Sequence, residues 1–110
     1  MADKDLVYLR DILDNIAILE GFLKGVNKQK FFSDLEKQFA VARCLEIVGE
    51  GSGKLSDSFK REHADIDWRG LKSMRNLLIH EYAYVDNEEL WQACKSDIPD
   101  FKKRLEQILN

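Results

Sequence analysis

Proline is almost absent from this chain. Pro99 is the only proline among 110 residues, and glycine occurs only six times. These two residues most often interrupt regular structure, so their scarcity leaves little room for loops and predicts long helices. A hydrophobic content of 45% is too high for a disordered chain. The length suits one domain, which we expect to span residues 1–110.

Cysteine and long apolar runs are also scarce. Cys44 and Cys94 lie far apart and have no partners at metal-ligand spacing, which predicts free thiols on helix faces in a reducing compartment, with a disulfide as the less favoured alternative. No apolar stretch approaches the roughly 20 residues that cross a bilayer. The first five residues lack the basic, then apolar, pattern of a signal peptide. We therefore expect a cytoplasmic protein without membrane contact.

The chain has no excess of positive charge. Its 17 Lys and Arg residues stand against 20 Asp and Glu residues, which gives a formal net charge of -3 and a pI near 5.4. A broad, sequence-blind nucleic-acid binder normally carries a large positive excess. The balance excludes that class but leaves room for a local basic site.

Two helical runs occupy the first half of the chain. In the first run, leucine and isoleucine recur at spacings of three and four, at Leu6, Leu9, Leu13, Ile16, Leu19 and Leu23. The second run predicts a buried stripe of Phe32, Leu35, Phe39, Ala42, Leu45 and Val48 before three glycines weaken it. Its start is open between a capping box at Ser33 and Glu36 and an earlier cap at Asn27, and we favour the earlier start.

The second half predicts two further helices. The polar residues 54–66 indicate a short helix or turn, and Asp67 is placed to cap the next long helix. Asp86 is placed to cap the last one, in which Pro99 predicts a kink or a restart. No segment shows strand alternation. We expect an all-α fold, an antiparallel up-and-down bundle of four main helices with a short additional helix or turn and a proline-kinked C-terminal helix.

The most informative segment of the chain runs from Arg75 to Tyr82 and has the pattern R-N-x-x-x-H-x-Y. Arginine grips phosphate with two parallel donors, and histidine transfers protons near neutral pH. On a helix Asn76 and His80 share a face, whereas Arg75 and His80 point about 140° apart. One protomer would struggle to close both groups around one phosphate, so a catalytic role favours a two-fold dimer with a composite cleft.

Each motif residue also has a purely structural interpretation. His80 could pack near a helix end, Arg75 could be a solvated charge, and Tyr82 could lie at the edge of the core. Asn76 is mildly unfavourable within a helix and needs a side-chain partner. Having all four together weakens each of these interpretations.

Charged residues near the motif are open to two interpretations. Arg69 and Lys72 lead to Arg75 in three-residue steps and form either a basic stripe for a polyanionic strand or a solvated helix face. Glu46 and Glu50 lie one turn apart on the preceding helix. They could assist proton transfer or pair with Arg75, and we favour the ion pair.

The chain resembles the HEPN toxins of the HepT class. Besides the motif, the likeness covers nearly the whole chain, in LVYLRDIL (6–13), AVARCLEIVGE (40–50), WRGLKSMRN (68–76), VD (85–86), LW (90–91) and DIP (97–99). Two departures are Asp67, where the family usually has proline, and Gly51-Ser52, where it has small alanines. Neither departure removes a reactive group.

The resemblance implies a ribonuclease toxin that cleaves RNA, such as tRNA or mRNA, without a metal or other cofactor. Arg75 and His80 would be catalytic, with Asn76 orienting His80 or binding the RNA. The implied partner is an MntA-like minimal nucleotidyltransferase antitoxin, which would transfer AMP to Tyr82 and obstruct the cleft with an anionic phosphodiester. The alternative from another class is a non-catalytic helical module that docks onto a nucleotidyltransferase.

Overall fold

The computed structural model describes all of residues 1–110 and contains seven α-helices. Helix α1 spans Asp3–Leu23, α2 Lys28–Phe32, α3 Leu35–Lys54, α4 Asp57–Glu62 and α5 Trp68–His80. A 3-10 turn, Tyr82–Tyr84, separates α5 from α6, Asn87–Gln92. A π-helical turn, Ala93–Asp97, then joins α6 to α7, Ile98–Leu109, so that these three pieces form one long C-terminal helix. With α1, α3 and α5 it makes the four main helices, which confirms the predicted all-α bundle.

Helices α1 and α3 pack antiparallel. The Asp5 carboxylate, near the start of α1, accepts hydrogen bonds from the backbone N–H and the hydroxyl of Ser56, just beyond α3. A turn or two further on, Ile12 lies against Gly51, where an added Cβ would come within 2.9 Å of its side chain. The predicted apolar face of α1 is confirmed in outline, with Ile12 fully buried in place of the half-buried Leu13.

The predicted start of the second helical run is wrong in its details. Asn27 does cap a helix, accepting from the backbone N–H of Lys30 at 2.8 Å, but that helix is the five-residue α2. The Gln38 amide donates to the carbonyls of Phe31 and Phe32 and so satisfies the end of α2. Helix α3 then starts afresh at Leu35 with Asp34 as its cap, so the capping box at Ser33 is also wrong.

The stripe predicted for this run is buried only in its second half. Ala42, Leu45 and Val48 are buried, whereas Phe32, Leu35 and Phe39 are between 41% and 62% exposed. The break between α2 and α3 rotates these three residues out of the core, and Phe31, Gln38 and Val41 are buried there instead. Helix α3 also continues through its three glycines to Lys54.

The predicted caps of the second half are confirmed. Asp67 accepts from the backbone N–H of Gly70 at 2.9 Å, and Asp86 accepts from that of Glu89 at 2.7 Å. The polar stretch after α3 contains α4, capped by Ser56. Pro99 lies in the first turn of α7, directly after the π-helical turn, so the last helix continues with altered winding.

The two cysteines are free and buried, as predicted, in the core between α3 and the π-helical turn. Burial raises the pKa of the Cys94 thiol to about 12, and the neighbouring Cys44 adds to the rise. A thiol with so high a pKa is scarcely ionised at neutral pH and reacts slowly. None of the helices combines the length and the apolar character that a membrane span requires.

Candidate functional site

The motif lies on the main helix that has the fewest fully buried residues. Leu78 is the only fully buried residue of α5. The helix packs antiparallel to α3, because Gly49 meets Arg75 while Phe39, ten residues earlier, meets Tyr82. The opposite side of α5 faces solvent, and this side carries Asn76 and His80.

Gly49 allows α3 and α5 to approach closely at Arg75. A Cβ on Gly49 would overlap the Cβ of Arg75 and would come within 3.2 Å of the Leu71 carbonyl oxygen. The backbone of α3 therefore supports the base of the arginine side chain directly. The backbone of Gly49 has ordinary helical angles, so the conformational freedom of glycine is not needed here. Glycine is required because any side chain would prevent the close approach of the two helices.

The Arg75 guanidinium bonds to its neighbour in sequence and to no carboxylate. One terminal NH2 donates to the Asn76 side-chain oxygen at 2.7 Å, while the buried Nε has no hydrogen-bond partner. The predicted ion pair with Glu46 or Glu50 is wrong, since Glu46 pairs with Arg43 at 3.0 Å and Glu50 forms no ion pair. Glu46 lies one turn from Arg43 on the same helix, and its carboxylate pairs with this local partner. The Arg75 charge thus remains without a counterion.

His80 is the last residue of α5, and its side chain is exposed. No side chain orients its imidazole by a hydrogen bond. In particular, the Asn76 oxygen accepts from Arg75, so this oxygen does not hold His80.

Tyr82 lies in the 3-10 turn directly after α5, where its ring packs on Phe39 with centroids 5.6 Å apart. Burial raises the pKa of the Tyr82 phenol, and the Glu46 carboxylate adds to the rise. The half-buried phenol is therefore neutral at physiological pH. Tyr84, two residues further on, is 81% exposed.

The basic residues Arg69 and Lys72 are both exposed on α5, and neither forms an ion pair with an acidic side chain. At about 100° per residue they share the solvent side of the helix with Asn76 and His80. Arg75 turns away from this stripe toward α3. The basic stripe of Arg69 and Lys72 therefore runs along α5 toward His80, and Arg75 lies at its edge.

Two residues that matter to this geometry were not predicted. Gly49 was expected to weaken the second helical run, whereas it sets the distance between α3 and α5. Phe39 was predicted to be in the core, yet it is 53% exposed and supports the Tyr82 ring. The role of Gly49 could have been predicted, because a glycine within an otherwise apolar helical pattern often marks close contact between helices.

Known proteins resemble this chain over nearly its whole length. The family model for ribonuclease HepT-like proteins matches residues 12–108. The chain belongs to the ribonuclease HepT-like family. This membership makes it a ribonuclease by family and confirms the resemblance drawn from the motif segments.

Individual members of the ribonuclease HepT-like family agree with that assignment. A protein of Thermococcus cleftensis, named as a probable ribonuclease HepT, is 43% identical over 101 residues, which is 92% of each chain. A protein of Methanocaldococcus jannaschii, provisionally named as an RNase, is 33% identical over 98% of this chain and 100% of its own. Another such protein, from Caldanaerobacter subterraneus, is 33% identical over 93% of this chain and 91% of its own. No solved structure matches the chain.

Proposed function

We propose that this chain is the toxin of a toxin–antitoxin pair, a metal-independent endoribonuclease whose site combines Arg75 and His80 in a homodimer. The observation that supports it best is the arginine without a counterion on the same helix as an exposed histidine. Family membership supplies the RNA substrate class. The exposed Arg69 and Lys72 on the solvent side of α5 suit the approach of a polyanionic strand.

The chemistry proposed for the site needs one proton acceptor and one charge stabiliser. His80 removes the proton of a ribose 2′-hydroxyl, and the 2′-oxygen attacks the adjacent phosphorus. The bond from phosphorus to the 5′-oxygen breaks, and the leaving 5′-oxygen takes a proton from water. The products are a 2′,3′-cyclic phosphate and a 5′-hydroxyl end. Arg75 stabilises the charge that builds on the phosphoryl oxygens, an interaction stronger in the transition state than in the ground state. Asn76 holds the guanidinium through its side-chain oxygen and retains its amide N–H groups for the RNA.

A dimer would bring an arginine and a histidine together although Arg75 and His80 point in different directions on one helix. Arg75 and His80 point about 140° apart round one helix, so a single protomer presents them to different sides. A second protomer across a two-fold axis beside α5 would face each arginine with the other chain's histidine. The solvent side of α5 also exposes Ile79, at 39%, an apolar side chain suited to such a contact.

The switch that we propose is AMP transfer to Tyr82 by a partner nucleotidyltransferase. The phenol is a poor nucleophile while its pKa is raised, so the partner must supply a base for it. The phenol oxygen then attacks the α-phosphate of ATP, and pyrophosphate leaves. Phe39 fixes the ring at the end of α5, two residues beyond His80. The transferred group adds a phosphodiester anion at that point, which repels RNA phosphates and fills space in the cleft. The cytoplasmic location, the antitoxin partner and the choice between tRNA and mRNA stay predictions.

Expression in a bacterial host tests the toxin proposal. We expect the parent chain to arrest growth, and His80→Ala and Arg75→Ala to relieve the arrest while their circular-dichroism spectra stay helical. Lys103→Ala, exposed on α7, is a control that should remain toxic. Variants as toxic as the parent would refute the assignment of this site.

A non-catalytic docking module is the second candidate. It is favoured by one observation, that nothing in the chain orients the His80 imidazole, whereas catalytic histidines are generally held by a second group. In this case the bundle would bind a nucleotidyltransferase without cutting RNA. Binding that survives His80→Ala, together with absence of RNA cleavage by the parent, would select it.

A further inference from the structure

A cleft of about 420 Å³ opens on the side of α5 away from the motif. It lies between α5 and the long helix formed by α6, the π-helical turn and α7. Its apolar floor includes Leu71, Met74 and Leu77 from one side and Ile98 and Phe101 from the other. Met74 is only two residues before Asn76, yet a helix places it about 160° round from that residue. The cleft is therefore separate from the candidate catalytic face.

The helix on the far side of the cleft is wound loosely at this point. The π-helical turn Ala93–Asp97 lies between α6 and α7, and its first residue, a small alanine, lines the cleft. Short π-helical segments within α-helices are rare and occur often at functional sites. Helix α5 packs closely on α3 and much less on α7, so the apolar side of α5 that faces the cleft is only half-buried.

The rim of the cleft is strongly acidic. Five carboxylates line it against a single guanidinium, that of Arg104, which leaves a surplus of four negative charges. Arg104 already bonds two of them, Asp65 at 2.8 Å and Asp100 at 3.0 Å. Glu89 and Asp97 have no cationic partner, and both are exposed. An apolar floor with an acidic rim repels phosphates and attracts cations.

We propose that this cleft is a protein-docking site for an amphipathic segment with apolar residues on one face and Lys or Arg along its edges. The apolar face would cover Leu71, Met74 and Leu77, and the basic edges would meet Glu89 and Asp97. Grooves of this kind accept helices through apolar residues spaced three and four apart. The charge of the rim excludes RNA as the occupant. The inference does not depend on the catalytic proposal, since it uses the other side of α5.

Occupation of the cleft would act on the helix that carries Arg75 and His80. Helix α5 is held closely by α3 on one side, but it has little contact with α7 on the side of the cleft. A segment bound against Leu71, Met74 and Leu77 would add buried apolar surface to it. We therefore expect slower amide hydrogen exchange along α5 when the cleft is filled.

A synthetic peptide provides the test. The probe is a helical peptide about 18 residues long with leucines three and four apart and lysines beside them, and the control peptide has glutamate in place of lysine. In low salt, the lysine peptide should shift amide resonances of Met74, Ala93 and Phe101, and it should slow exchange along α5. The glutamate peptide should do neither.

Charge reversal localises the binding. Glu89→Lys with Asp97→Lys should weaken binding of the lysine peptide about tenfold or more, a change of roughly 1.4 kcal/mol. The matched control, Glu62→Lys with Glu106→Lys, changes charge equally at exposed positions outside the cleft and should leave binding unchanged. Equal binding by both double variants, or shifts confined to other surfaces, would overturn the proposal. So would the same shifts caused by single-stranded RNA, or by raising the protein concentration alone, which would indicate a second copy.

Discussion

Gly49 and Arg75 are in backbone-to-side-chain contact across the interface of α3 and α5, with no room between them for even one carbon atom. The contact fixes the base of the arginine, while its guanidinium extends to Asn76. A helix-packing feature of α3 thereby sets the position of the phosphate-binding group proposed on α5.

Substitution of Gly49 by alanine should push α5 away from α3. The new Cβ meets the Cβ of Arg75 and the Leu71 carbonyl oxygen, neither of which is the end of a flexible side chain. Overpacking of this kind costs about 1–3 kcal/mol, more than the gain in helix propensity. Urea unfolding should show the loss, and RNA cleavage should fall.

Gly53→Ala is the matched control on the same helix. An added Cβ at Gly53 meets nothing within 4 Å. Alanine is the better helix former, so this variant should be as stable as the parent or slightly more stable. Equal stability of the two variants would contradict the close approach at Gly49.

Local sequence signals predicted the elements of this fold well. Asp67 and Asp86 cap their helices through bonds to residues three positions away, so the pattern alone reveals them. The exposure of Phe39 and the hydrogen-bond partner of Arg75 were not predicted, because both depend on packing between elements. Phe39 is exposed because α2 ends before α3 begins, and its partner Tyr82 is 43 residues away in sequence. Glu46 pairs with Arg43 and not with Arg75, a choice among side-chain rotamers that no spacing rule decides.

Acid should remove the stabilising effect of Asp5. The hydroxyl of Ser56, and after it the Ser56 backbone N–H, lower the pKa of the buried Asp5 carboxyl. A lowered folded-state pKa adds stability that is present above the unfolded value of about 4 and is lost as pH falls through the folded pKa. Asp5→Asn should therefore be less stable than the parent at pH 7, by a margin that shrinks toward pH 3.

Urea unfolding at the two pH values measures this margin. Asp3→Asn, exposed in the same first turn of α1, is the control and should match the parent at both. A margin for Asp5→Asn that stays constant between pH 7 and pH 3 would mean that the carboxylate charge plays no part.

Tyr82 should be the acceptor of the AMP group. Incubation with a minimal nucleotidyltransferase of the proposed antitoxin class, ATP and magnesium should add AMP mass, and peptide mass spectrometry should place it on Tyr82. Tyr82→Phe should abolish the addition and keep the Phe39 contact, because the ring is unchanged. Tyr84→Phe is the control, since Tyr84 is far more exposed and would be preferred if accessibility alone decided. Labelling of Tyr84 would reject the switch.

The chain should form a dimer in which two protomers share one cleft. Light scattering should give about twice the 12.8 kDa mass of the chain. Arg75→Ala and His80→Ala should each be inactive, but their mixed dimer retains one arginine and one histidine in the shared cleft and should regain part of the activity. Mixed dimers that form and remain inactive would contradict the composite site.

Cleavage of a defined RNA by the purified protein, in EDTA, tests the central claim most directly. We expect the parent to yield fragments ending in 2′,3′-cyclic phosphate and 5′-hydroxyl groups. His80→Ala should lower the rate by a factor on the order of 10²–10⁴, the usual contribution of a general acid or base. Arg75→Ala should lower it by a factor on the order of 10²–10³, as loss of a charge-stabilising donor does. Arg69→Ala should weaken RNA binding more than the rate at saturation. A parent rate no higher than that of His80→Ala, or one that depends on added magnesium, would contradict the proposed chemistry.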